Sequence, residues 1–405
     1  EALFIRTGPD GKEYGADELD ILYWFRTKHF LEGTSHKKAL AILDEFIDKH
    51  GEKLIHDPLK RALLQRDLWA LFDWAAVPFA YYQAKFPETR HDLESRLAVV
   101  IQRLELTTNE IASLPDNYAL AEKKHLPDLP QGLFDTNSDW ISVGVQNAEM
   151  TVPTHVRGFG GRSVFTVWFH DADGRQAGLD YLKRLRSFAP MFIFTTNRDS
   201  AIEPSLNPHL PEFPAHSQWA LVRQMCVIGL NGRIQPTRVL ETIQMRNYWK
   251  IGKSTTHVFT NEDGTLWVAG VPPQRFYEFR MSRGAQASLV SVPQNGREFT
   301  SNNQFFSKGI DPFEYHFSGQ TTDPAKSRSI VLKTCAQCHN GPGIYSVNSF
   351  TRFLSLPGLT FQTTQMVEAN PKNEEEAALN WKQRQFNWGL LQGLWIRASQ
   401  SGMAK

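Results

Sequence analysis

Two spacings of apolar residues alternate along this 405-residue chain. From about residue 16 to 112 the spacing is helical. Ala39, Leu40, Leu43, Phe46 and Ile47 recur three and four apart behind Thr34 and Ser35, either of which can cap a helix. Asp57-Pro58 opens a second helix carrying Leu59, Leu63, Leu64, Leu68, Leu71 and Phe72, and Pro78 should end or kink it. A third is predicted from about His91 to Leu104 on Leu93, Leu97, Val100, Ile101 and Leu104. Trp24, Trp69, Trp74, Tyr81 and Tyr82 are expected to form an aromatic core between these helices.

From about 163 to 290 the spacing becomes two. Ser163 to Phe169 reads as a strand, and Phe276 to Met281 continues the pattern. His257-Val258-Phe259-Thr260 and Thr265-Leu266-Trp267-Val268 flank Asn261-Glu262-Asp263-Gly264, a hairpin signal. Asn231-Gly232 marks another tight turn. Between the two regions, residues 113–162 are rich in Pro, Asn, Asp and Gly and read as a connection, with a turn at Gly160-Gly161. The last 85 or so residues are helical again. Asn370 and Pro371 suit the start of one long closing helix, and Glu374, Glu375 and Glu376 favour its positive end. Trp381, Trp388 and Trp395 recur every seven residues on nearly one face, which needs an apolar partner: a cofactor edge, a neighbouring helix or the N-terminal region.

The expected fold class is therefore α+β and multidomain. A helical region spans 1–112, the connection 113–162, a mainly antiparallel β-rich domain 163–319, and an all-α unit 320–405.

One motif inside the last unit carries specific chemistry. Cys335-Ala336-Gln337-Cys338-His339 reads C-x-x-C-H. Two thiols at this spacing can add to the two vinyl groups of one haem, and the adjoining imidazole then reaches the iron. A zinc ribbon needs a second ligand pair, yet the only other cysteine is Cys226, set in an apolar strand-like run and expected to be a buried inert thiol. A thioredoxin-like pair should follow a strand, whereas Asp323 and Pro324 start a helix that leads into the motif. The order helix, C-x-x-C-H, loop Asn340–Gly343 and C-terminal helix resembles class I c-type cytochrome domains over about residues 320–400. The resemblance implies one covalent haem c on Cys335 and Cys338, His339 on the iron, and a methionine from the loop ahead of the last helix as second axial ligand. Met366 occupies that place. It follows His339 by 27 residues (366 − 339), which is short for the family, and Met281, Met245, His316 and Met403 are the alternatives. Trp381, Trp388 and Trp395 would help wall the haem from water.

Composition narrows the function classes. Lys+Arg 44 against Asp+Glu 43 leaves almost no net charge, unlike a nucleic-acid binder. No uninterrupted apolar run approaches the ~20 residues that span a bilayer. The chain starts at Glu1 with no apolar signal core, so it reads as a mature chain whose leader has been removed. The resemblance implies a periplasmic or cell-surface location. His209, Glu212 and His216 gather in a Pro-rich stretch but earn no assignment, and no nucleophile elbow, zincin helix, P-loop or Rossmann fingerprint occurs. Two functions follow as expectations. One is electron transfer by a mono-haem cytochrome, with a redox partner protein or a small-molecule donor or acceptor. The other is a haem enzyme, peroxidase- or oxidase-like, with an open iron position. Dihaem peroxidases and rubber-cleaving dihaem oxygenases carry two such motifs, and this chain has one.

Overall fold

A computed structural model describes residues 30, 31, 33–76, 87–146, 148–187, 209, 211–248, 274–283, 285–291, 344 and 366–400, together with short strands at 6–7, 13–14, 192–196, 202–206, 258–260 and 266–268. The described elements are, in chain order, β1 (Arg6–Thr7), β2 (Glu13–Tyr14), α1 (Gly33–Asp48), α2 (Pro58–Ala76), α3 (Pro87–Arg103), α4 (Thr108–Ser113), α5 (Asn117–Lys123), β3 (Trp140–Val145), α6 (Pro153–Gly158), β4 (Ser163–His170), α7 (Arg175–Arg186), β5 (Phe192–Thr196), β6 (Ile202–Leu206), β7 (Gln218–Ile228), β8 (Ile234–Tyr248), β9 (Val258–Thr260), β10 (Leu266–Val268), β11 (Gln274–Ser282), β12 (Ser288–Ser291), β13 (Met366–Glu368), α8 (Pro371–Gln383) and α9 (Phe386–Gln400).

After the short β1–β2 pair, helices α1 to α5 precede an antiparallel sheet, so the α+β class holds, with helices toward the N-terminus. Seven strands pair antiparallel in the order β12-β11-β8-β7-β4-β3-β13. The long β7–β8 hairpin turns at Asn231-Gly232, where Gly232 has φ +64°. The hairpin expected around Asn261–Gly264 forms as β9 and β10. Alternation sends Ile141, Val143, Val145, Phe169, Trp219 and Met366 to the main core with α1, α2, α3 and α7. Trp140, Trp168, Val222, Ile243 and Phe279 line the opposite face, under Tyr118, Ala121 and Leu133.

Four differences from the sequence reading have physical causes. The stretch 113–162 is more than a connection: it holds α5, β3 and α6. Asp, Asn and Thr serve turns and helix caps alike, and here Asp116 caps α5, accepting from Ala119 N at 2.9 Å. Thr107 and Glu110 form a capping box at α4. Within the β region, α7 buries Tyr181, Leu182 and Leu185 against β3 and β4. The closing helix is two helices, broken at Arg384-Gln385, although Asn370 does cap its start, accepting from Lys372 N.

The last difference concerns the all-α unit expected at 320–405. Its described part includes β13, which extends the sheet beside β3, and α8 packs on β4 while α9 packs on α2 and α3. The tryptophan face meets the N-terminal helices. Trp388 lies 5.7 Å from the Trp69 ring, and Trp395 Nε1 donates to Ala98 O at 2.7 Å. One apolar core thus runs from Phe30 to Trp395.

Candidate functional site

Cys335, Cys338 and His339 lie outside the described residues, as do the helix expected at 323–334, the loop 340–343, His316 and Met403. Met366 opens β13 opposite Val145, and its side chain is 1% exposed inside the main core. Met245 is buried on the opposite face of the sheet, and Met281 packs at the sheet's far end, so these three candidate ligands do not converge.

One described residue lies close behind the motif. Ile344, five residues after His339 (344 − 339), is buried, and its N–H donates to Glu212 Oε1 at 2.7 Å. The same oxygen accepts from Phe213 N at 2.9 Å. Burial raises the Glu212 pKa, and these two N–H groups pull it back. Phe213 in turn stacks among Tyr181, Trp219 and Tyr248, with ring centroids 6.2, 4.9 and 5.1 Å away. Glu212 and Phe213 therefore fasten Ile344 beside an aromatic cluster on the helix-covered sheet face. The Pro-rich stretch that carries them gave no such signal, because Ile344 is 132 positions away.

Cys226 is fully buried, and burial pushes its thiol pKa up. It is the inert thiol expected from its apolar run.

The structure also assembles an ionic centre that the periodicity concealed. Helix α2 is buried on every side from Gln65 to Ala76, including Arg66, Asp67 and Asp73. Asp73 Oδ2 accepts from Lys382 Nζ at 2.6 Å and from Arg162 Nη1 at 2.5 Å, and Oδ1 accepts from Asn387 Nδ2. Lys382 and Arg162 are both 0% exposed. The Gly160-Gly161 turn lies against this group with φ +63° and +65°. A Cβ at Gly160 would sit 2.3 Å from Arg162 Nη1, and one at Gly161 2.8 Å from the Trp381 ring, so side chains are excluded twice over. A second carboxylate, Glu241, accepts from Ser163 Oγ at 2.5 Å and pairs with Arg66 and Arg223 at 3.1 and 2.9 Å. A third, Asp67, is forked by Arg283.

These groups tie α2 to β4, β7, β8 and the α8–α9 pair. Buried ion pairs give back in attraction roughly what desolvation costs, so their effect is to select one arrangement rather than to add stability. Burial, the largest influence, pushes the Lys382 ammonium down to about 8, although Asp73 pulls the other way. Its ordinary value is 10.5, so between pH 8 and 10.5 the unfolded chain holds the proton that the folded chain has released. Stability should therefore rise with pH across that window, by at most about 3 kcal/mol. Urea midpoints taken at intervals across it will show this, and Lys382→Met should flatten the rise.

Among the described residues no three His, Cys, Asp or Glu side chains converge to hold a metal ion, and no helix is long and apolar enough to cross a membrane. Comparison of the chain with protein-family models, with curated proteins and with solved structures finds no match.

Proposed function

We propose that the chain is an extracytoplasmic mono-haem c-type cytochrome that transfers electrons, with residues of about 320–405 as its haem domain. The observation that carries this reading is the sequence Cys335-Ala336-Gln337-Cys338-His339. Its donor set suits the group: two thiols to form thioethers and one imidazole for iron. Haem c supplies a one-electron iron couple when bound. Cys335 and Cys338 would hold it covalently, His339 would be the proximal ligand, and Met366 the second axial ligand. The inert burial of Cys226 supports the assignment by leaving the motif's two thiols without a rival. The partner is a redox protein or a small-molecule electron donor or acceptor, met in the periplasm or at the cell surface.

Denaturing electrophoresis with haem staining tests the attachment. The band should stain, the intact mass should include one haem, and Cys335→Ala with Cys338→Ala should abolish both. Haem that leaves into acidic acetone, or a mass without it, sinks the proposal.

One observation favours a second reading. The Met366 side chain is buried among apolar neighbours, and its backbone belongs to the β13–β3 ladder. If packing is its whole task and no other side chain takes its place, the sixth iron position is open and the chain is a peroxidase- or oxidase-like haem enzyme. Carbon monoxide added to the reduced protein separates the two: a six-coordinate iron resists it and an open one binds it.

A further inference from the structure

We infer, on the haem reading proposed above, that strand β13 is a latch: the docked strand and an iron-bound Met366 are two exclusive states of the chain. In the docked strand the Met366 side chain is 1% exposed and lies within the main apolar core. An axial methionine must present its sulfur to the open face of a porphyrin. A side chain walled in by core neighbours has no such side to present. Met366 therefore serves the iron only when β13 has left β3, and it fills the core only while it is off the iron.

The strand is lightly held. It is three residues long, ends the seven-stranded sheet and has β3 as its ladder partner. Burial falls from Met366 through half-buried Val367 to exposed Glu368. Helix α7 packs beside it and supplies an ion pair from Arg175 to Glu368, with side chains 34% and 48% exposed. An exposed pair of this kind contributes little. Short segments with few buried side chains are the ones that open locally in a folded protein. The chain that follows is held more firmly. Glu374 accepts from the N–H and the hydroxyl of Thr151, and Lys382 Nζ donates to Asp73. Release therefore stops at the start of α8. Asn370 follows Met366 by four residues (370 − 366), so a freed Met366 stays within about 14 Å of it. A tether this short keeps the sulfur at high effective concentration and makes the exchange reversible.

Imidazole tests the latch, because it competes with the sulfur for the sixth position of ferric haem and so binds only the docked state. Spectroscopic titration of the full, haem-loaded chain gives its apparent dissociation constant. Glu368→Lys turns the exposed ion pair into a repulsion. It should favour release and raise that constant about two- to fivefold. Met366→Leu keeps the core filled and removes the competitor, so imidazole should bind more tightly. In the Met366→Leu chain, Glu368→Lys should change nothing, since the position of the strand no longer bears on the iron. Hydrogen exchange gives a second readout: imidazole should slow exchange at residues 366–368 in the wild type and leave it unchanged in Met366→Leu. In a chain that stains for haem, three results overturn the latch alone. They are imidazole binding that Met366→Leu does not tighten, a Glu368→Lys effect that is absent or equal in both backgrounds, and exchange indifferent to imidazole. A chain that takes up no haem overturns the latch together with the reading beneath it.

Discussion

Asp73→Asn should cost the folded state about 3–5 kcal/mol, enough to consume much of the stability of an ordinary domain. The carboxylate is the shared partner of Lys382 Nζ, Arg162 Nη1 and Asn387 Nδ2. An amide of the same shape leaves two buried cations facing no anion, and its NH2 replaces one oxygen, so it meets either the Asn387 donor or the Arg162 and Lys382 donors with a donor of its own. The reverse truncation is milder. Lys382→Met removes the more strongly desolvated ion, while Asp73 keeps Arg162 and Asn387. Its long apolar side chain fills the place of the lysine stem beside Trp69 and Trp381. Denaturant unfolding of the two variants side by side measures the contrast. Equal losses would mean that attraction in this centre outweighs desolvation at both ends.

Met366→Ala should destabilise by about 2–5 kcal/mol, because the side chain is 1% exposed in the core and little can collapse into the space. That loss comes whether or not the sulfur binds iron. Met366→Leu conserves the volume and should cost less than about 1.5 kcal/mol while removing the sulfur. The pair therefore separates packing from ligation. If Met366 is the axial ligand, the leucine variant keeps its stability, loses its low-spin spectrum and gains carbon monoxide binding. An unchanged spectrum in the leucine variant leaves Met366 as a packing residue, and a wild type that is already high-spin and turns over peroxide moves the function to the haem enzyme.

Both predictions turn on residues that the chain announces unequally. The C-x-x-C-H run stood out as a motif because its thiols and imidazole are near neighbours in the chain. The apolar stripes of α1, α2 and α3 and the strands β4 and β11 were legible for a similar reason: a repeat of 3.6 or of 2 states which side must leave water. Asn370 with Pro371 marked a helix start because capping is a contact between near neighbours. The same local grammar failed at Asp116, where a residue suited to turns caps a helix. It failed again at Arg384-Gln385, where a continuous pattern of tryptophans runs across a break.

The ionic centre lay out of reach for a different reason. Lys382 and Asp73 are 309 positions apart, and Asn387 and Asp73 are 314 apart. Read along the chain, each looks like a polar residue on a helix, and a polar residue on a helix is ordinarily solvated. One signal was available: Asp73 interrupts an otherwise apolar run from Leu68 to Ala76, leaving that stretch no polar side to turn outward. Glu374 gives the same lesson. Its position in the first turn of α8 suggested a favourable dipole contact, yet its carboxylate is buried and accepts from both the N–H and the hydroxyl of Thr151.

The sequence by itself determined the α+β class, the helices α1, α2 and α3, the strands β4 and β11, and the thiol–imidazole motif on which the haem proposal rests. Only the tertiary structure decided that β3 and β13 complete the sheet, that Trp388 and Trp395 close on α2 and α3, and that one carboxylate joins the first helices to the last. Secondary structure follows from contacts a few residues apart, each of which leaves a repeat in the chain. The partner of a buried charge is chosen by the whole fold, since desolvation forces the charge to find a counterion wherever the packed elements bring one within reach.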